Sequence, residues 1–158
     1  VTDELTGLTN RHGLHKAFQS ELERAHRYQR PLTVILVDID HFKAVNDELG
    51  HLMGDKVLAE FAGLLQSGVR QVNTVCRWGG EEFLIICHET PPDQAMELAE
   101  RLLQAVRRHA FACGRPITAS AGVASAVGGD SALTIEARAD AALYQAKTTG
   151  RDRVCLAT

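Results

Sequence analysis

The sequence predicts an α/β (α+β) domain in which a central sheet of about five strands is surrounded by helices. Residues 32–38, LTVILVD, form an almost unbroken aliphatic run, which is typical of a strand buried on both faces. Stretches with apolar residues at helical spacing lie before and after it. The pair Gly79-Gly80 joins two further apolar runs, as in a β-hairpin. With 158 residues and 45% hydrophobic content, we expect residues 1–158 to form one domain whose core is large enough to be stable without disulfides or metals.

Each element follows from its own pattern. A first helix that stops before Pro31 is predicted by four apolar residues at helical spacing, namely Leu14, Phe18, Leu22 and Ala25. A second helix, ending near Gly68, is predicted by the apolar stripe Val57, Leu58, Phe61, Leu64 and Leu65. The later elements are the hairpin arms 73–78 and 82–88, a helix at 92–110, a strand at 117–126, a helix at 133–147 and a strand at 153–156.

The order of the elements places acidic side chains near one another. Strand 32–38, the following helix and strand 73–78 predict a βαβ unit with parallel strands and a right-handed crossover. Both strands then end on the same side of the sheet, so the hairpin turn lies beside the end of strand 32–38. The turn itself is predicted to be type I′, with positive φ at both glycines. Asp38 and Glu81 are therefore expected to converge where α/β sheets bind ligands.

Composition excludes several classes of function. The net charge of −3 and a pI near 6.2 give no reason to expect a nucleic-acid polymer as partner. The four cysteines are scattered without a C-x-x-C pair, which argues against zinc or disulfides and for a reducing, cytoplasmic location. No stretch approaches the roughly 20 apolar residues of a membrane span. Because the chain begins at Val1 rather than Met, we expect it to be a domain of a longer protein.

Carboxylates and cations together predict a nucleotidyl-transfer site. Asp38 and Glu81 can hold Mg²⁺ ions, while Lys43, Lys147 and Arg151 can neutralise a polyphosphate. The sequence contains no Walker loop that could bind phosphate instead. The alternative for each acid taken alone is a structural one, in which Asp38 caps a following helix and the turn acids are solvated. The joint pattern favours the site.

Five blocks of sequence carry a resemblance to a known family. They are DELTGLTNR at 3–11, DIDHFKAVND at 38–47, GHLMGD at 50–55, GGEEF at 79–83 and ADAALYQAKTTGRDRV at 139–154. In this order they resemble the GGDEF family of diguanylate cyclases over essentially the whole chain. The resemblance implies a sheet similar to the palm of nucleotide cyclases and polymerases. It also implies condensation of two GTP into cyclic di-GMP with release of two pyrophosphates.

The same resemblance implies roles at the metal site. Asp38 and Glu81 would hold two Mg²⁺ ions, or Mn²⁺, with the carbonyl of Ile39 as a further ligand. Glu82 would support the metals, and Glu81 would also act as general base for the 3′-hydroxyl. Lys43 would stabilise charge in the transition state.

The resemblance also implies residues that bind the substrate. Lys147 and Arg151 would bind the triphosphate, and the base and its surroundings would be contacted by Phe42, Asn46, His51 and Asp55. Asp55 has independent physical support, because an ionised carboxylate only accepts hydrogen bonds and guanine offers two donors on one edge. For His51 a structural role in its loop remains an alternative. The aromatic residues flanking the turn, Trp78 and Phe83, favour hairpin packing over base stacking.

Two further expectations follow from the resemblance. Each domain would bind one GTP, so catalysis would need a homodimer, controlled by a sensory domain upstream. The family's R-x-x-D inhibitory site corresponds to Arg70–Asn73, where Asn73 replaces the acid and predicts weak product inhibition. Alternatively, Arg70 neutralises a helix C-terminus and Asn73 opens a strand.

Two other functions remain as alternatives. The chain could be a catalytically silent module that binds GTP or cyclic di-GMP, or a cyclase of the same fold with another product.

Overall fold

A computed structural model describes residues 2–158, so Val1, on which the expectation of a longer protein rests, lies outside the described residues. Along the chain the elements are β1 (Thr9–Asn10), α1 (Arg11–Arg27), β2 (Leu32–Ile39), α2 (Phe42–Leu49), α3 (His51–Gly68), β3 (Thr74–Arg77), β4 (Glu82–His88), α4 (Pro92–Arg108), β5 (Ala119–Ser125), α5 (Ala132–Thr148) and β6 (Val154–Leu156). The predicted α/β fold class is confirmed. No helix among residues 2–158 has both the length and the apolar character that crossing a bilayer requires.

The sheet has six strands in the order β1-β3-β4-β2-β5-β6. Strand β4 pairs antiparallel with both β2 and β3, so those two strands run in the same direction, as predicted. They are not neighbours, however, because the hairpin returns β4 into the space between them. Strand β1 was not predicted, since two residues are too few to show a periodic pattern.

The hairpin turn is not type I′, and that prediction is wrong. Neither Gly79 nor Gly80 has a positive φ. The N–H groups of Trp78 and Gly79 both donate to the Glu82 carbonyl, at 2.8 and 3.1 Å. The connection is therefore longer than the two-residue loop that needs left-handed glycines. A Cβ on Gly80 would meet nothing within 4 Å, so neither φ nor crowding within the fold requires glycine there.

The segment after β2 forms two helices where a single apolar stripe had been recognised. Helix α2 ends and α3 begins at Gly50, whose φ of 89° breaks the helical path. The helices then approach closely, since a Cβ on Gly54 would lie 1.8 Å from Asn46 Oδ1. The chain between β2 and α3 is thus a compact corner next to the end of the central strand.

Strand β2 forms the centre of the molecule, and all eight of its residues are buried. Its side chains alternate between two apolar clusters. One face packs with α3 and α4, around Phe61 and Phe83, whose rings lie 5.2 Å apart. The other packs with α1 and α5, around Phe18 and Leu143. The sequence prediction of a strand covered on both faces is confirmed.

Helix α5 lies directly on β5 at Gly122. A Cβ on this residue would lie 2.2 Å from the Ala139 carbonyl oxygen and 2.4 Å from the Leu143 nitrogen. Both are backbone atoms, so neither can move aside without shifting the helix. This close approach fixes the position of α5, which carries Lys147, relative to the sheet.

We therefore expect Gly122→Ala to lower the free energy of unfolding by about 2 kcal/mol or more, because the added methyl group overpacks the contact. Gly63→Ala is the matched control, since Gly63 lies in α3 with open space around its Cβ position. That change should raise stability by about 0.5–1 kcal/mol through helix propensity. Urea denaturation of both variants measures the difference, and equal effects would contradict the proposed contact.

Candidate active site

Three carboxylates meet at the C-terminal end of β2. Asp38 is paired across the sheet with Glu82, and the N–H of the next residue, Ile39, donates to the Glu81 carbonyl at 3.3 Å. Asp38 is buried, while Glu81 and Glu82 are half-buried. The convergence arises because β4 begins immediately beside the point where β2 ends.

Lys147 of α5 neutralises part of this acidic cluster. Its Nζ donates to Asp38 Oδ2 in an ion pair. Burial nevertheless raises the pKa of Asp38, against the opposing effect of the Lys147 hydrogen bond and charge. For Lys147, desolvation lowers the pKa, but the bond to Asp38 and the nearby acids outweigh it and the pKa is raised. The lysine therefore stays charged beside the carboxylates.

The turn acids share this environment. Burial, and then the Asp38 charge, raise the pKa of Glu81 to about 6. The pKa of Glu82 is also raised, first by burial and then by Asp38. A carboxylate with a pKa near 6 is ionised at neutral pH yet basic enough to accept a proton.

The two other predicted cations are exposed. Arg151 follows α5, and its charge lowers the pKa of Asp38 as one of the weaker influences on that group. Lys43 lies in the first turn of α2, close in sequence to Asp38, and its side chain makes no hydrogen bond or ion pair with other residues of 2–158. Its side chain is thus available to a ligand.

The predicted base-binding residues lie at the α2–α3 corner. Asn46 is half-buried against Gly54, and Asp55 and His51 are exposed on the first turns of α3. Phe42 is different, because the residue is only 7% exposed and belongs to the apolar core. The structure therefore gives Phe42 a packing role, and its contact with substrate stays a prediction.

The turn between β3 and β4, residues 78–81, is called the signature turn here, and it is anchored by a residue that sequence reasoning missed. Arg77 forms an ion pair with Asp3, at 3.0 Å, and donates to the Gly80 carbonyl at 2.7 Å. Asp3 in turn accepts hydrogen bonds from the N–H and hydroxyl of Thr6. The sequence did contain a hint of this ion pair, since Asp3 opens the DELTGLTNR block and Arg77 lies two positions before Gly79.

Trp78 and Phe83 pack within the protein, as the sequence favoured. The indole N–H of Trp78 donates to Glu136 Oε1 at 3.0 Å, and the Arg11 guanidinium lies 4.5 Å from the ring centroid. Phe83 is fully buried against Phe61.

The residues of the expected inhibitory site are engaged in hydrogen bonds near the end of β4. Asn73 is buried, and its Oδ1 accepts from the His88 N–H at 3.2 Å. Arg70 donates to the His88 carbonyl and to Thr90 Oγ1, at 3.3 and 3.2 Å. These contacts give both side chains a structural role. Asn73 directly precedes β3, in line with the alternative of opening a strand, but the hydrogen bonds of Arg70 are to the end of β4 and not to a helix C-terminus.

The donor set fits a metal that takes part of its coordination from substrate. Within residues 2–158 there is no group of three or more His, Cys, Asp or Glu side chains arranged as a metal centre. Asp38, Glu81 and the Ile39 carbonyl are oxygen donors of the kind that Mg²⁺ prefers, and Mg²⁺ commonly uses only one or two protein carboxylates together with phosphates. The acids therefore suit a metal–nucleotide complex better than a metal bound by protein alone.

Comparison with known proteins identifies the family. The model of the "Diguanylate cyclase, GGDEF domain" family matches residues 1–153. A relative, diguanylate cyclase DgcP of Pseudomonas aeruginosa, is 43% identical over 157 residues, which are 98% of this chain and 23% of that protein. The chain thus spans about a quarter of the length of this relative.

Solved structures agree. The active GGEEF domain of a diguanylate cyclase from Vibrio cholerae has a TM-score of 0.90 and 40% identity, covering 96% of this chain and 98% of that one. The coiled coil and GGDEF domain of DgcB from Caulobacter crescentus, in complex with c-di-GMP, has a TM-score of 0.92 and 31% identity, covering 99% and 85%. The chain belongs to the GGDEF family.

The raised pKa of Glu81 predicts a stability cost at neutral pH. The folded state binds this proton more tightly than the unfolded state, so stability is lost as pH rises from about 4.5 through about 6. Glu81→Gln should therefore raise the melting temperature at pH 8 by roughly 2 °C, a small shift because solvent screens the half-buried group. The gain should fade as pH falls toward 4.5.

Thermal unfolding followed by circular dichroism, in buffer with EDTA, measures this effect. Glu97→Gln makes the same change at an exposed position on α4 and should leave the melting temperature unchanged. A Glu81→Gln variant that is less stable at pH 8 than the native domain would show that the charge is not destabilising.

Proposed function

We propose that this domain is a diguanylate cyclase, which condenses two GTP into cyclic di-GMP and releases two pyrophosphates. The observation that carries the proposal is the cluster of Asp38, Glu81 and Glu82 beside Lys147 at the end of β2, in a chain of the GGDEF family. Relatives named diguanylate cyclases support it.

In this proposal the chain's own residues bind and orient the triphosphate. Lys147 exchanges its contact with Asp38 for phosphate oxygens, and exposed Arg151 and Lys43 add further positive charge. Asp38, Glu81 and the Ile39 carbonyl would hold two Mg²⁺ ions, or Mn²⁺, with Glu82 beside them. When bound, these ions would neutralise the charge that develops on the attacking and leaving oxygens.

Glu81 serves as the base. It accepts the proton of a 3′-hydroxyl as that oxygen forms a bond to the α-phosphorus of the other GTP. The bond from that phosphorus to the bridging oxygen breaks, and pyrophosphate leaves. The raised pKa of Glu81, about 6, suits this role because the carboxylate is ionised at neutral pH and still basic. A second, equivalent step closes the ring.

Guanine selection is assigned to the α2–α3 corner. Asp55 accepts hydrogen bonds from the N1–H and 2-amino groups of guanine, and Asn46 adds an amide beside it. Adenine presents an acceptor where guanine presents N1–H, so an ionised carboxylate disfavours it. His51 is included among these base-binding residues, and Phe42 supports the α2–α3 corner from the core.

The reaction requires two copies of the site. Each domain holds one GTP, and the nucleophile of one must reach the phosphorus of the other, so the catalytic form is a homodimer with the acidic ends of β2 facing each other. Control of that dimer by an upstream sensory domain, and the cytoplasmic location, stay predictions.

Incubation of the domain with GTP and MgCl₂, followed by chromatography of the products, tests the proposal. We expect cyclic di-GMP from the native domain and a loss of about 100-fold or more for Asp38→Asn, because charge stabilisation at a metal is worth several kcal/mol. Asp93→Asn, an exposed acid on α4, is the matched control and should retain activity.

The same assay distinguishes the proposed function from the two alternatives, a silent nucleotide-binding module and a cyclase with another product. Nucleotide binding without any product would favour a silent module, and turnover of ATP in preference to GTP would favour a cyclase with another product. Full activity of a folded Asp38→Asn variant would remove that residue from the metal site.

A second prediction of the proposed function concerns protein concentration. Since the dimer is populated by mass action, the activity per milligram should rise with concentration until the domain is fully dimeric. Initial rates measured beside light scattering test this. Constant specific activity over a range in which the domain is monomeric would contradict the two-copy site.

A third prediction concerns feedback. Because Asn73 carries no charge and both it and Arg70 are engaged near the end of β4, added cyclic di-GMP should inhibit poorly. Asn73→Asp keeps an acceptor for the His88 N–H and adds a charge-assisted contact to guanine, so inhibition should tighten roughly fivefold to tenfold.

Titration of cyclic di-GMP into initial-rate assays measures the inhibition. The double variant Arg70→Ala, Asn73→Asp is the control and should lose the gain. Strong inhibition of the native domain that Arg70→Ala abolishes would show that the amide is sufficient.

A further inference from the structure

Asp40 lies one residue beyond β2 and is only 6% exposed, and it is not among the residues proposed to bind metal or substrate. Its carboxylate accepts three hydrogen bonds. Thr118 Oγ1 donates to Oδ2 at 2.7 Å, Ser120 Oγ donates to Oδ1 at 2.7 Å, and the N–H of Asp152 donates to Oδ2 at 3.0 Å. The side chain thus links the end of β2 to β5 and to the turn that follows α5.

Of the three partners of Asp40, the turn at residues 151–152 has an unusual backbone conformation. Arg151 and Asp152 are consecutive non-glycine residues with φ of 61° and 48°, in the left-handed region. Each such residue costs of order 1 kcal/mol and persists only where surrounding contacts hold it. The contacts here include the Asp40 carboxylate on the inner side and Arg107 on the outer side, whose Nε donates to Asp152 Oδ1 at 2.8 Å. The N–H of Arg151 also donates to the Ala146 carbonyl at 2.9 Å, and Arg153 Nε donates to the Arg151 carbonyl at 3.0 Å.

We propose that Asp40 is a positioning residue, which holds the 151–152 turn so that Arg151 is presented to the triphosphate beside Asp38. The inference rests on the proposed function, since it takes Arg151 as a phosphate-binding residue. Asp40 itself need not touch the substrate: it acts through the backbone N–H of Asp152.

The geometry explains why a carboxylate is required. All three partners donate, and an ionised carboxylate is a pure acceptor with enough lone pairs for all of them. In Asp40→Asn one oxygen becomes an NH₂ group. That group can take the place of Oδ1, where the Ser120 hydroxyl can rotate to accept from it, and the amide oxygen can take the place of Oδ2. The N–H of Asp152 then donates to a neutral oxygen instead of a carboxylate, and this hydrogen bond is about half as strong. The conservative substitution therefore weakens the hold on the turn while it preserves the side chain's shape.

A double-mutant cycle tests the coupling. The affinity of the native domain, Asp40→Asn, Arg151→Ala and the double variant for a GTP analogue with a methylene group between the α- and β-phosphates is measured by calorimetry with Mg²⁺. We expect Asp40→Asn to weaken binding about fivefold to tenfold and to have almost no effect in the Arg151→Ala background. In steady-state assays Asp40→Asn should raise KM more than it lowers kcat.

Ser120→Ala is the matched control. It removes one hydrogen bond to the same carboxylate but leaves the bond to Asp152, so it should lower the melting temperature without changing affinity. Hydrogen exchange supplies a readout independent of substrate: Asp40→Asn should speed exchange at residues 151–152, and Ser120→Ala should not.

The possible results separate a failure of this inference from a failure of the proposed function. Additive losses of affinity in the cycle, or unchanged exchange at 151–152 in Asp40→Asn, would overturn the inference while the proposed function stands. Failure of the native domain to bind the analogue would overturn both. If Asp40→Asn does not fold, Asp40→Glu replaces it in the cycle, because it keeps the charge and displaces the acceptor from the Asp152 N–H; unchanged affinity in that variant overturns the inference.

Discussion

The burial of several carboxylates together at the end of β2 is the constraint on which the site depends. Burial raises the pKa of Asp38, Glu81 and Glu82. The charge of Asp38 adds to the rise at the two glutamates, and the charge of Asp40 adds to the rise at Asp38. The fold tolerates them because Lys147 is held beside Asp38. Such an arrangement is costly as protein structure and favourable as a receptor for cations, because a cation beside the carboxylates offsets their negative charge.

The rest of the structure keeps these charges in place. Strand β2 is covered on both faces, so the segment after it has little freedom to move. Helix α5 is set on the sheet by the close approach at Gly122, and the position of Lys147 follows from it. The site is therefore built at the edges of rigid elements, although several of its side chains reach into solvent.

Much of this could be predicted from sequence, and the errors have physical causes. The run LTVILVD identified the buried strand, and chain order brought Asp38 and Glu81 to one edge. Sequence order alone could not show that β4 inserts between β2 and β3. Two strands that run in the same direction can be neighbours or can have a third strand between them, and the sequence pattern does not distinguish these cases. The Gly-Gly pair suggested a turn type, but the length of the connection removes the need for positive φ. The buried ring of Phe42 likewise depends on where α2 packs.

Arg77 joins two distant parts of the chain through one guanidinium group. It holds Asp3, near the start of the described chain, and the Gly80 carbonyl, in the turn that carries Glu81. A displacement of the segment before α1 is therefore mechanically linked to the signature turn over the length of a single side chain. Force applied at that end of the domain has a direct path to the acids and need not pass through the apolar core.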